Sequence, residues 1–183
     1  SGNDPAYYWK KQEAEKQAGR ELSNAEFEAD WFEPSAYVGG TSIFDPVLCE
    51  IAYRWFSPPA GRVLDPFAGG SVRGITAAWL GRSYTGVELR AEQVASNREQ
   101  AEAILPRADD PGSVSWSEGD SGVVMADPAW EPKPFDLLFS CPPYYDLEVY
   151  SQEHGDLSNA DTYDEFLDLY RTIISHAVAR LAP

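Results

Sequence analysis

Residues 63–74, V-L-D-P-F-A-G-G-S-V-R-G, constrain this chain more than any other stretch. A short apolar run closes on Asp65, a Pro-Phe step turns the backbone, and Gly69 and Gly70 let it pass close to a ligand before a helix begins near Ser71. Strand, glycine turn and helix is the unit from which parallel sheets are built. The same alternation recurs downstream: strand 62–64 with helix 72–80, strand 83–87 with helix 91–105, a weaker strand at 113–116, and a fourth apolar run at 136–139. Such alternation predicts an α/β, Rossmann-like parallel sheet with helices on both faces.

The composition of the turn restricts what it can hold. A P-loop needs Gly-Lys-Ser/Thr at the helix start, and Gly70-Ser71-Val72 has no lysine. The dinucleotide fingerprint G-x-G-x-x-G is absent as well, and an acid at the strand tip would oppose a pyrophosphate. Asp65 suits a cationic ligand instead. S-adenosylmethionine, with an ammonium and a sulfonium and no phosphate, fits that requirement. Glu88 ends the next strand-like run, 18 residues beyond Gly70, where an acid can accept from both ribose hydroxyls.

A second landmark, F-D-L-L-F-S-C-P-P-Y-Y over 135–145, carries a buried-strand pattern straight into two prolines that stiffen the exit from the sheet. With both motifs in view, the chain resembles the DNA amino-methyltransferases, and among them the methylase domains of bacteriophage proteins, over roughly 41–180. Asp65-Pro66-Phe67-Ala68-Gly69-Gly70-Ser71 is similar to their D-P-F-x-G-x-G cofactor motif with one glycine displaced. Cys141-Pro142-Pro143-Tyr144 is similar to their Asp/Asn/Ser-Pro-Pro-Tyr/Phe catalytic motif except at its first residue. The resemblance implies S-adenosylmethionine as cofactor. It implies Ser42, Phe44 and Asp45 at the methionine end, Glu88 and Leu89 at the ribose, Asp120 and Ser121 at the adenine, and Ser140 beside the catalytic motif. It further implies double-stranded DNA with the target base flipped out, in a restriction-modification setting, inside a bacterial or phage-infected cell. On the residues alone, Asp45 is equally a helix cap before Pro46, and Asp120 a turn-forming acid.

Two departures from that family matter. A thiol accepts hydrogen bonds more weakly than a carboxylate, amide or hydroxyl, so slower catalysis or a different substrate is expected at Cys141. A thiol is closest in size to the serine variant, which among the resembling enzymes is commoner with cytosine, so the resemblance leans towards cytosine N4 over adenine N6. The family's sheet has seven strands and this sequence supplies four, so the expectation is that either the sequence is a truncated part of the domain, or a homo-oligomer or a partner chain completes the sheet. Open alternatives are a cofactor-binding but silent subunit, and methyl transfer to RNA, protein or a small molecule.

Charge is the awkward property. The formal net charge is -16, and residues 99–183 hold 4 Lys/Arg against 17 Asp/Glu, a poor surface for displacing counterions from nucleic acid. The two cysteines, Cys49 and Cys141, sit in unlike contexts, so neither a disulfide framework nor a metal site is expected. No apolar run is long enough to span a bilayer and no signal-peptide pattern opens the chain, which predicts a cytoplasmic protein without membrane contact. Two domains are expected: a helical extension over 1–40 and the catalytic domain over 41–183, ending after the fourth strand and its helix. A helix capped by Asp45 carries an apolar stripe of Val47, Leu48, Ile51, Ala52, Trp55 and Phe56, expected to face the core, with Cys49 as a core thiol. His154 and His176 have no partner at metal spacing and receive no role.

Overall fold

A computed structural model describes residues 5–22, 27, 44–145, 151 and 155–183. The chain divides into two compact units, Ser1–Ser42 and Ile43–Pro183. In the first, helix α1 (Pro5–Ala18) ends at Gly19, whose φ of 67° is the left-handed conformation that commonly closes a helix. Ala14, Leu22 and Phe27 form its small apolar cluster, and Glu15 accepts from the Leu22 N–H at 3.1 Å.

The second unit is a four-stranded, wholly parallel sheet in the order β3-β2-β1-β4. Its elements in chain order are α2 (Pro46–Phe56), β1 (Arg62–Asp65), α3 (Val72–Trp79), β2 (Ser83–Glu88), α4 (Ala91–Ile104), β3 (Ser113–Glu118), the single turn α5 (Ser121–Val124), β4 (Leu137–Leu138) and α6 (Tyr163–Val178). The third strand, which looks weak in the sequence, pairs with β2 along all six of its residues, from Ser83↔Ser113 to Glu88↔Glu118. Phe135 forms a parallel bridge with Leu181 after α6 returns to the sheet, so pairing continues one step past the fourth strand. The Phe135 N–H donates to the Arg180 carbonyl at 2.9 Å, and the Phe135 carbonyl accepts from the Ala182 N–H at 2.8 Å.

Strand side chains alternate between two apolar layers. Val63, Tyr84 and Trp116 pack with Cys49 and Tyr53 of α2, Ile75 and Ala77 of α3, and Val94 and Ala101 of α4. Leu64 and Val87 face the other way, onto Met125, Phe135 and the Phe166, Ile173 and Ala177 face of α6. Arg82 fastens the first layer from below. Its buried guanidinium donates to the carbonyls of Tyr53, Ser57 and Leu80, so one cation satisfies the C-terminal ends of both α2 and α3.

Helix α2 corrects the expected stripe. Cys49 and Tyr53, one turn apart, are its fully buried residues, and Cys49 is indeed a core thiol, its pKa pushed up to about 12 by burial. Val47, Leu48, Ile51, Trp55 and Phe56 are exposed, Trp55 by 75%. Periodicity identifies an apolar face but not the face that is covered, and here Tyr53 decides the orientation. Its ring lies edge-on to Phe139 at 5.3 Å and its hydroxyl donates to the Arg73 carbonyl at 2.9 Å.

Candidate functional site

The segments that follow β1, β2, β3 and β4 converge at the C-terminal edge of the sheet, where open α/β sheets hold ligands. Asp65, the last residue of β1, is completely buried and accepts four hydrogen bonds. Oδ1 takes the Ser140 hydroxyl at 2.5 Å and the Phe67 N–H at 3.1 Å, while Oδ2 takes Arg73 Nε at 2.6 Å and the Tyr84 hydroxyl at 2.7 Å. A carboxylate offers about four lone-pair sites, so the capacity of Asp65 is filled from within the protein. Its work in this structure is to tie the tip of β1 to α3, β2 and the end of β4.

Arg73, absent from the sequence reading, is the principal partner. Only 5% exposed in the first turn of α3, it donates from Nη2 to the carbonyls of Phe67 at 2.6 Å and Ala68 at 2.9 Å. The ring of Phe44 lies 5.0 Å from its Cζ. Burial works against its charge, but the Asp65 carboxylate, with Tyr84 and Cys141, together more than offsets this, so the guanidinium is held firmly protonated. The Tyr84 hydroxyl is pushed well above its ordinary pKa, by burial first and by Asp65 second.

Beyond Asp65 the turn is held residue by residue. The Pro66 carbonyl accepts from the Ser121 hydroxyl, and the Phe67 ring stacks on Tyr170 with centroids 6.1 Å apart. The Ala68 N–H donates to the Val87 carbonyl at 3.0 Å, an approach possible because Gly86 has no side chain: a Cβ there would meet Ala68 Cβ at 2.8 Å. Gly69, at a φ of 50°, donates its N–H to Glu88 Oε2 at 2.9 Å and accepts at its carbonyl from the fully buried Asn97 at 2.7 Å. Among the described residues, nothing lies within 4 Å of a Cβ built on Gly69 or Gly70, so they leave the outer side of the turn open. Ser71 begins α3 and donates to Gln100 Oε1 at 2.5 Å.

Glu88 also accepts the Arg90 N–H at 3.1 Å, and burial raises its pKa above the ordinary carboxyl value. Two backbone hydrogen bonds and the Arg90 side chain at 3.6 Å leave lone pairs for a ligand's hydroxyls. Leu89 beside it is half-buried. Asp120 caps α5 by accepting the Gly122 N–H at 2.7 Å, and Gly155 packs so closely on it that an added Cβ would meet Oδ2 at 2.7 Å. Asp45 is the N-cap of α2, accepting the Val47 N–H at 2.7 Å, and Phe44 belongs to the site through Arg73. Ser42 lies outside the described residues. Ser140, Cys141, Pro142 and Pro143 leave β4 half-buried and in sequence, and Tyr144 is 57% exposed. Ser140 therefore joins the two motifs: it donates to Asp65 and accepts the Phe67 N–H at 3.2 Å. A cavity of about 340 Å³, lined by Arg62, Ser83, Tyr84, Thr85, Glu131 and Lys133, includes no residue of either motif.

With this geometry the unit can be set beside solved structures. It superposes on TrmN from Thermus thermophilus with a TM-score of 0.53 and 23% identity, over 75% of this chain and 35% of that one. The glycopeptide N-methyltransferase MtfA, complexed with sinefungin, gives a TM-score of 0.50 and 19% identity over 78% and 52% of the two chains. The fold is that of the S-adenosylmethionine-dependent methyltransferases. The chain spans about a third of the first relative's length and half of the second's. No protein-family model and no curated protein matches the sequence.

S-adenosylmethionine fits the chemistry of this donor and acceptor set. Glu88 retains acceptors for paired hydroxyls, the turn is open over Gly69 and Gly70, and no lysine-bearing phosphate cradle competes. Arg73, Tyr84 and Asn97 are the site residues that sequence reasoning missed. A basic residue inside the small, apolar helix V-R-G-I-T-A-A-W was the available signal for the first. An asparagine or tyrosine in an ordinary helix or strand carries none.

Proposed function

We propose that this chain is the catalytic portion of an S-adenosylmethionine-dependent DNA methyltransferase that modifies an exocyclic amino nitrogen, cytosine N4 in preference to adenine N6. The observation that carries the reading is the Ser140 to Asp65 hydrogen bond of 2.5 Å, which joins the Cys-Pro-Pro-Tyr segment to the open glycine turn. Glu88, the backbone of residues 65–71 and Leu89 hold the cofactor, with Phe44 at its amino-acid end and Asp120 and Ser121 near its base. When bound, S-adenosylmethionine supplies an electrophilic methyl group.

The chain's own residues then solve a nucleophile problem. The lone pair of an exocyclic amine is delocalised into the base, and drawing both its hydrogens into hydrogen bonds favours a tetrahedral nitrogen with that pair directed outward. The Pro142 carbonyl is one acceptor and the Cys141 sulfur the other. The two prolines fix the separation of these acceptors. Tyr144, exposed at the rim, offers a face on which a flipped base can stack.

The direct test is incubation of the chain with the cofactor and duplex DNA, followed by mass spectrometry of the hydrolysed nucleosides. The expected product is N4-methylcytosine, and it disappears on Pro142→Ala with Tyr144→Ala. Labelled methyl recovered in RNA or protein, with none in DNA, would replace the substrate class.

A further inference from the structure

The Arg73 guanidinium carries five N–H groups, and three are spent inside the protein: Nε on Asp65, and both hydrogens of Nη2 on the Phe67 and Ala68 carbonyls. Among the described residues, Nη1 donates to no atom. Unmatched donors on a side chain only 6% exposed are uncommon, because each forfeits its hydration without a replacement. Nor is Nη1 sealed in the core. The only fully enclosed side-chain donor without a partner, among the described residues, is Trp116 Nε1. The free Nη1 edge of Arg73 therefore keeps some access to solvent, next to an Nη2 that holds the Phe67 and Ala68 carbonyls of the glycine turn.

We infer that Arg73 is a cofactor-binding residue whose Nη1 edge receives the carboxylate of the ligand's amino-acid end, an inference that rests on the cofactor reading above. Three observations converge on this ligand group. Asp65 is saturated, so the expected ion pair between Asp65 and the ligand's ammonium is not what this tip of β1 offers. Phe44 covers the face of the same guanidinium and leads directly into α2. Arg90, the other guanidinium beside the turn, is already engaged by Glu88 at 3.6 Å, Glu92 at 3.7 Å and Gln93 at 3.1 Å. Arg73 thus holds the turn at the Phe67 and Ala68 carbonyls and Glu88 holds it at the Gly69 N–H, a donor on one stretch of the turn and an acceptor on the next. That polarity matches a ligand with a carboxylate at one end and hydroxyls near the other.

The test is a thermodynamic cycle read by calorimetry. Wild type and Arg73→Lys, each confirmed folded by circular dichroism, are titrated with S-adenosylhomocysteine and with its decarboxylated analogue, S-adenosyl-3-thiopropylamine. In wild type, loss of the carboxylate is expected to weaken binding by about tenfold, the scale of one hydrogen bond to a charged group. In Arg73→Lys the two ligands are expected to bind within about twofold of each other, because residue and carboxylate form one interaction. Arg73→Met serves as a second variant, since it keeps the chain length while removing every donor. Equal weakening of both ligands in the variants would make Arg73 purely a scaffold residue and overturn the inference while leaving the cofactor reading intact. Failure of folded wild type to bind either ligand would remove both.

Discussion

At the scale of single residues, the surprise is the reversal of roles between Asp65 and its neighbours. The sequence marked Asp65 as the acid for a cationic ligand, because an isolated strand-tip carboxylate in an apolar motif looks unpaired. Its partners, Arg73, Tyr84 and Ser140, come from three other elements and become visible only when the chain is folded. Removing one member of a buried ion pair strands the other, typically at about 3–5 kcal/mol. Asp65→Asn should therefore lower the thermal midpoint sharply even without ligand; an unchanged midpoint with lost ligand affinity would restore a direct contact. Glu88 makes the opposite prediction. Burial raises its folded pKa above the ordinary value of 4.5, so the folded state prefers the proton. The stability that this proton contributes is present below pH 4.5 and is lost as the pH rises through the folded value. The difference in thermal midpoint between wild type and Glu88→Gln should fall over that window. Affinity for the cofactor should rise over the same window, because the ionised carboxylate accepts ribose hydroxyls best. A flat difference would contradict the assignment.

At the scale of elements, the strand, turn and helix order was legible because each strand is a short apolar run and each glycine or proline punctuates it. What sequence could not reveal was which face of α2 is covered. Val47, Leu48, Ile51, Trp55 and Phe56 form a regular stripe, yet the buried contacts are made by Cys49, legible as a core thiol, and by Tyr53, whose hydroxyl hid it. Trp55→Ser should shift unfolding by no more than about 0.5 kcal/mol, as for an ordinary surface position. Gly86 behaves otherwise, although the sequence shows it only as a glycine in a strand. Gly86→Ala places a methyl against Ala68 and the Tyr84 ring, and should cost about 1–3 kcal/mol by overpacking and weaken ligand binding at the displaced turn. Unfolding in urea with a ligand titration measures both effects.

At the scale of the molecule, the parallel sheet with strand order β3-β2-β1-β4 explains why one site can be assembled from four distant segments. Parallel strands send all their exits to one edge, so residues 65–71, 88–89, 120–121 and 140–144 meet there whatever their separation in the chain. The charge of -16 acts on the whole surface and opposes non-specific attraction to nucleic acid. This chain alone should show no measurable affinity for non-specific duplex by fluorescence anisotropy at roughly 0.15 M salt, since counterion release has few cations to drive it. The central claim, that the open glycine turn is a cofactor site, is tested most directly by calorimetric titration of the chain with S-adenosylmethionine, in wild type and in Glu88→Ala. Saturable binding by wild type that is lost or strongly weakened in a folded Glu88→Ala is the expected result. Absence of binding by folded wild type, or equal binding by the variant, would contradict it.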